Sequence, residues 1–116
     1  MKLPLIILLT AIPALAIADT PEIVAVKASE TNGAWRFDVT VRHDDEGWEH
    51  YADGWGVYDM DGRELGYRTL LHPHVNEQPF TRSLNAVVIP TSIKSVTIRP
   101  HDSIHGDGAD FTVELD

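Results

Sequence analysis

Six histidines are the residues of this chain best suited to chemistry. They are His43, His50, His72, His74, His101 and His105. Imidazole nitrogens are good ligands for divalent transition metals, including Zn(II) and Cu(II). The chain contains no cysteine, so thiolate sites and thiol chemistry are excluded. Met60, the one methionine outside the N-terminal segment, is predicted far from the histidines, which argues against a soft Cu(I) site.

The spacing of the histidines indicates two pairs that could share an ion. In His72-Pro73-His74 the proline favours an extended backbone for the residue before it, so residues i and i+2 point the same way. His101 and His105 lie four residues apart, which also permits a common face. No zinc-finger or H-E-x-x-H pattern is present, so this prediction rests on position and not on a known motif.

Alternation of apolar and polar residues predicts strands along most of the chain. The clearest run places Trp35, Phe37, Val39 and Val41 on one face. We predict seven strands, at about 22–28, 35–42, 55–57, 65–71, 80–89, 93–99 and 111–115. Seven short strands in one small domain are typical of an all-β, seven-stranded antiparallel immunoglobulin-like sandwich, with Trp55 in its core. A small β-barrel is the alternative fold.

The order of these strands brings the histidines to one end of the domain. Because strands alternate in direction, connections two-to-three, four-to-five and six-to-seven emerge at the same pole. All six histidines fall on or beside these connections. The favoured ligands are His72, His74, His101 and His105, with His43 or His50 completing the shell. Neighbouring aspartates could orient the imidazoles, namely Asp44, Asp45 and Asp102.

The first eighteen residues have the pattern of a cleaved secretory signal. Lys2 precedes an apolar run, and Ala16-Ile17-Ala18 supplies small residues at the cleavage site. We therefore expect a signal peptide over residues 1–18, a single domain over 19–116 and a periplasmic or secreted location. The apolar run is short for a membrane span, and no cysteine is available for a lipid anchor. A net charge of −9 disfavours nucleic acid as a partner.

Two segments resemble a family of small exported bacterial proteins of unassigned function with an immunoglobulin or fibronectin-III-like sandwich. The first segment runs from His72 through Pro79-Phe80 to Leu84, and the second is His101-Asp102-Ser103-Ile104-His105-Gly106. The likeness covers most of the chain after the signal. It implies the fold and an exported location, and it brings no activity or ligand.

These observations predict an exported metal-binding protein that holds Cu(II) or Zn(II) at one pole of the sandwich. The alternative is a protein-interaction module of the cell envelope, which would use the same loops without metal. The aromatic residues near this pole could then form a recognition patch, namely Trp48, His50, Tyr51 and Trp55. We expect instead that Trp48 and Tyr51 close the end of the core and that Trp55 lies within it. No enzyme is predicted, because neither an elbow motif nor an ordered triad surrounds Ser83 or Ser103.

Overall fold

The computed structural model describes residues 20–115, and the predicted signal peptide over residues 1–18 lies outside this range. Within it the chain is all-β. The strands are β1 (Glu22–Thr31), β2 (Ala34–Arg42), β3 (Ala52–Tyr58), β4 (Glu64–Thr69), β5 (Phe80–Val88), β6 (Ser95–Asp102), β7 (Gly106–Asp107) and β8 (Phe111–Glu114). Every predicted strand is present.

The expected number of seven strands is wrong, because the described residues form eight. The additional strand is β7, a pair of residues that lies in the connection predicted between residues 99 and 111. Gly106 adopts a positive φ of 79°, which lets the chain reverse after β6 and pair Gly106 with Asp102. The Gly108 amide continues this pairing by donating to the Pro100 carbonyl at 2.9 Å, and the register with β6 has shifted by one residue where β8 begins, with Phe111 opposite Ile98.

The strands form two antiparallel sheets. One has the order β1-β2-β5, and the other has the order β4-β3-β6, with β7 and β8 both pairing with β6. The inward faces of both sheets contribute to one hydrophobic core. Phe37 and Val39 are fully buried, as the alternation on β2 predicts, and Trp55 is fully buried on β3. Burial of these apolar side chains drives the packing of the two sheets.

Tight turns close the end opposite to the histidines. Asn32 and Gly33 both have positive φ, at 52° and 84°, which suits the two-residue turn between β1 and β2. In the turn from β3 to β4 only Gly62 has a positive φ. The Asp59 carboxylate holds this turn by accepting hydrogen bonds from the amides of Asp61 and Arg63.

Candidate metal centre

Three side chains from one connection and one strand end converge beneath the histidine pole. His43 directly follows β2, His50 lies in the connection to β3, and Asp102 is the last residue of β6. One donor atom from each lies within 4.8 Å of the others. The side chains of His43 and Asp102 are 3% and 0% exposed, and that of His50 is 16% exposed. The cluster is therefore an interior feature.

The donor atoms face one another at close range. Asp102 Oδ1 lies 3.1 Å from His43 Nε2 and 2.9 Å from His50 Nε2. The contact between His50 and Asp102 is not aligned as a hydrogen bond, and neither atom has a hydrogen-bond partner among residues 20–115. Two ligands of a tetrahedral zinc ion with bonds of about 2.0–2.1 Å are separated by about 3.3 Å. The two separations that involve Asp102 Oδ1 are about 0.2 and 0.4 Å shorter than this value, and the donor atoms of His43 and His50 lie within 4.8 Å of each other.

Each imidazole is oriented by a carboxylate on its other nitrogen. His43 Nδ1 lies 2.6 Å from Asp45 Oδ1, and His50 Nδ1 lies 2.8 Å from Glu46 Oε1. Such pairing fixes the tautomer and turns Nε2 toward an ion in many metal sites. The hydrogen bond to Glu46 raises the pKa of His50 above its ordinary value, and the negative charge of Asp102 adds to it against the opposing effect of burial.

The two buried aspartates also hold the backbone around the cluster. Asp45 accepts hydrogen bonds from the amides of Ala52 at 2.9 Å and His74 at 2.7 Å. Asp102 Oδ2 accepts from the amides of Ile104 and His105 at 3.0 and 2.8 Å. The role predicted for Asp45, orienting an imidazole, agrees with this geometry, whereas Asp44 is exposed. Asp102 also directs an oxygen into the centre.

His105 lies at the outer side of the cluster. Its ring packs edge-on against His50, with ring centroids 5.1 Å apart, and His50 packs in the same way against His43 at 4.9 Å. His105 is exposed, unlike the two rings beneath it. The structure thus brings together His43, His50 and His105, from two of the three predicted connections.

His72 and His74 form a separate pair beside this centre. Their ring centroids are 4.6 Å apart, and His74 stacks on Phe80 at 3.8 Å. The Arg82 guanidinium donates to His74 Nε2 at 2.8 Å, which occupies that lone pair with a cation. Burial, followed by the charge of Arg82, lowers the pKa of His74 below its ordinary value. Asp45 is the link from this pair to the centre, through the His74 amide.

His101 lies apart from the other histidines. Its Nδ1 is 2.6 Å from Asp53 Oδ1, and its register neighbours are Gly54 on β3 and Asp107 on β7. Successive residues of a strand point to opposite faces, so a buried Asp102 leaves His101 on the outer face of the sheet. The four favoured ligands His72, His74, His101 and His105 therefore occupy three different places, and they do not surround one point.

Sequence reasoning did not predict the place that two residues of the cluster, Asp102 and Glu46, take in the structure. Asp102 was expected to orient an imidazole, yet it continues the buried series Val96, Ile98 and Pro100 along β6, so the alternation could have placed it inside. Glu46 was not singled out. Its spacing of four residues from His50 is the available signal, and the contact needs the loop to fold back so that the Glu46 amide meets the His50 carbonyl.

Comparisons with known proteins give one partial similarity. No protein-family model matches the chain, and no solved structure matches it. A protein of Halomicrobium mukohataei named "Putative lipoprotein" is 44% identical over 80 residues, which cover 69% of this chain and 39% of that protein. The chain thus spans about two fifths of the relative's length. Among residues 20–115, no helix has the length and apolar character needed to span a membrane.

Proposed function

We propose that this protein binds a divalent transition metal ion through His43 Nε2, His50 Nε2 and Asp102 Oδ1. The observation that carries the proposal is the buried, unbonded approach of His50 Nε2 to Asp102 Oδ1 at 2.9 Å. Burying polar atoms without partners costs free energy. A cation between them would recover that cost.

The tautomer of His50 strengthens this argument. The Glu46 carboxylate can only accept a hydrogen bond, so His50 Nδ1 carries the proton and donates it. In the neutral ring Nε2 then presents a lone pair toward the oxygen of Asp102. Two acceptors at this distance repel each other unless a positive charge lies between them. A proton on His50 Nε2 supplies that charge below the raised pKa of His50, and a metal ion supplies it for the neutral ring by accepting both lone pairs.

The donor set favours Zn(II) or Cu(II). Imidazole nitrogen is a ligand of borderline hardness that suits both ions, and zinc sites also accept a carboxylate oxygen. Ca(II) and Mg(II) prefer shells made of oxygen atoms, which this cluster does not supply. The absence of cysteine removes the thiolates that would select Cu(I).

An exported location in the cell envelope fits this role. The signal pattern over residues 1–18 and the name of the Halomicrobium mukohataei relative both support it. We further propose an immunoglobulin-like sandwich, since three strands in the order β1-β2-β5 facing a sheet built on β4-β3-β6 are typical of that fold.

Calorimetric titration of Zn(II) and Cu(II) tests the metal site. We expect the wild-type protein to bind one ion with a dissociation constant of about 1 μM or tighter, near −8 kcal/mol. His50→Ala and Asp102→Asn should each weaken binding by tenfold or more, because each removes one donor. Glu49→Gln is the matched control, since Glu49 is exposed in the same loop as His50. Absence of saturable binding to the wild-type protein would end the proposal.

A second candidate function is docking of an envelope protein by the same pole. The observation that favours it is the exposure of large apolar side chains there: Trp48 at 65%, Leu71 at 75%, Val75 at 53% and Ile104 at 60%. Exposed aromatic residues often anchor partners. This function predicts that a partner is retained by the wild-type protein in the presence of a chelator and is lost with Trp48→Ala. Loss of the partner with chelator alone would instead favour a role for the metal.

A further inference from the structure

The proposed centre has three protein donors, whereas structural zinc sites have four ligands. His105 is the candidate for the fourth position. It is next to His50 in space, on the side of the cluster that faces solvent. The side chains of His43 and Asp102 are enclosed by the protein, whereas that of His50 is 16% exposed, so the cluster is most accessible to an ion from the His50 side.

His105 differs from the other five histidines in its hydrogen bonding. Each of the others has a ring nitrogen engaged: His43 with Asp45, His50 with Glu46, His72 with the Pro73 carbonyl, His74 with Arg82 and His101 with Asp53. The His105 ring forms no hydrogen bond or ion pair with residues 20–115. Its two nitrogens can therefore turn toward an ion without breaking a hydrogen bond or an ion pair in the described part of the chain.

The backbone that carries His105 is held by a proposed ligand. Asp102 directs Oδ1 into the centre while Oδ2 accepts the amides of Ile104 and His105. The turn is also tied to the loop of His50, because Ser103 exchanges two hydrogen bonds with the backbone of Tyr51, both at 3.0 Å. The turn is thus fixed at its base, and the His105 side chain is left to move above the cluster.

We infer that His105 is the exchange ligand of the centre: it takes the ion from solvent, completes a four-coordinate shell and releases the ion by the same route. This inference rests on the proposed function. It makes the protein a carrier that loads and unloads a transition metal ion, since a site with an exposed, otherwise unengaged ligand exchanges more readily than one enclosed on all sides.

Cobalt(II) and Zn(II), each used alone, test this role. We expect the wild-type protein to give the intense visible absorption of tetrahedral cobalt(II). In His105→Ala and His105→Gln these bands should weaken, and Zn(II) affinity should fall about tenfold or more, by comparison with the 10–100-fold cost of losing an outer-sphere partner. The rate at which Zn(II) is released to a chelator should differ from the wild-type rate in both variants.

Ile104→Ala is the matched control, because it alters the neighbouring exposed residue in the same turn and should leave spectrum, affinity and release rate unchanged. Wild-type binding with an unaltered cobalt spectrum and Zn(II) affinity in both His105 variants would overturn this inference and leave the proposed centre intact. Failure of the wild-type protein to bind either ion would overturn the proposed function itself.

Discussion

The Nε2 atom of His50 lies 2.9 Å from Oδ1 of Asp102 without forming a hydrogen bond to it. Both atoms are shielded from solvent, and His43 Nε2 stands 3.1 Å from the same oxygen. Native proteins pair most of their buried polar atoms, so the absence of a hydrogen-bond partner for His50 Nε2 and for Asp102 Oδ1 among residues 20–115 requires a reason. A metal ion between the three donors provides one.

Glu46→Gln should weaken Zn(II) binding about tenfold, at the lower end of the range for outer-sphere partners because the Glu46 side chain is 69% exposed. The substitution replaces the carboxylate that orients His50 with a neutral amide. Calorimetry measures the change, and Glu49→Gln controls for the lost surface charge. Equal affinity in Glu46→Gln and wild type would show that the orienting contact does not matter.

Because His74 is held neutral in the folded protein, we expect the free energy of unfolding to decrease in mild acid. Its folded-state pKa lies below the ordinary histidine value of 6.5, chiefly because the side chain is buried and then because Arg82 is close. The unfolded chain therefore takes up a proton first, and the stability present above pH 6.5 is lost as pH falls through 6.5 toward the folded-state pKa. Urea unfolding at pH 7 and pH 5 should show this decrease.

His74→Phe removes the titrating group and keeps an aromatic ring against Phe80. The decrease in unfolding free energy between pH 7 and pH 5 should be smaller in this variant than in the wild-type protein. Arg82 retains Glu77 as an acidic neighbour at 3.6 Å. An unchanged pH dependence would mean that His74 is not held neutral by its surroundings.

The hydrogen bonds of Asp38 predict a second loss of stability, at a lower pH than the one due to His74. The hydrogen bond from Ser83 is the largest cause that holds its pKa below 3.8, and Arg36 adds to it. This contribution is present above pH 3.8 and is lost as pH falls through the folded-state pKa. Ser83→Ala should lower the free energy of unfolding by about 1 kcal/mol at pH 7, and by less at pH 3. Ser92→Ala, an exposed serine, is the control, and a cost for Ser83→Ala that is the same at both pH values would contradict the assignment.

The surroundings of two glycines predict which alanine variant is less stable. A Cβ at Gly108 would lie 2.5 Å from the Pro21 carbonyl oxygen, so backbone must move, and Gly108→Ala should cost about 1–3 kcal/mol. A Cβ at Gly54 would instead meet the ring end of Tyr67, which can swing away, so Gly54→Ala should cost less. Thermal unfolding of both variants measures the order, and the reverse order would refute this account of the two contacts.

Much of the architecture could be predicted from alternation along the chain. The series Phe37, Val39 and Val41 identifies an inward face, and chain order alone brings the loops of His43 and His50 to the pole where β6 ends. The two-residue β7 could not be predicted, because it depends on a turn at Gly106 and on the contact of Gly108 with Pro100, and neither has a periodic signal.

The site was less predictable than the fold, because it depends on the direction of individual side chains. The parity of β6 could have separated His101 from Asp102, since these neighbours must point to opposite faces. The contact of Arg82 with His74 could not have been foreseen, as it requires the position of β5 relative to the preceding loop. The sequence was therefore sufficient to predict that histidines gather at one end of the domain. It was not sufficient to predict which of them face one another in the cluster.

Anomalous diffraction at the zinc edge, from crystals grown with Zn(II), tests the central claim most directly. The account predicts one strong peak at about 2.0–2.2 Å from His43 Nε2, His50 Nε2 and Asp102 Oδ1. A map with no peak at that point, or with the ion held at His72 or His101 instead, would contradict it.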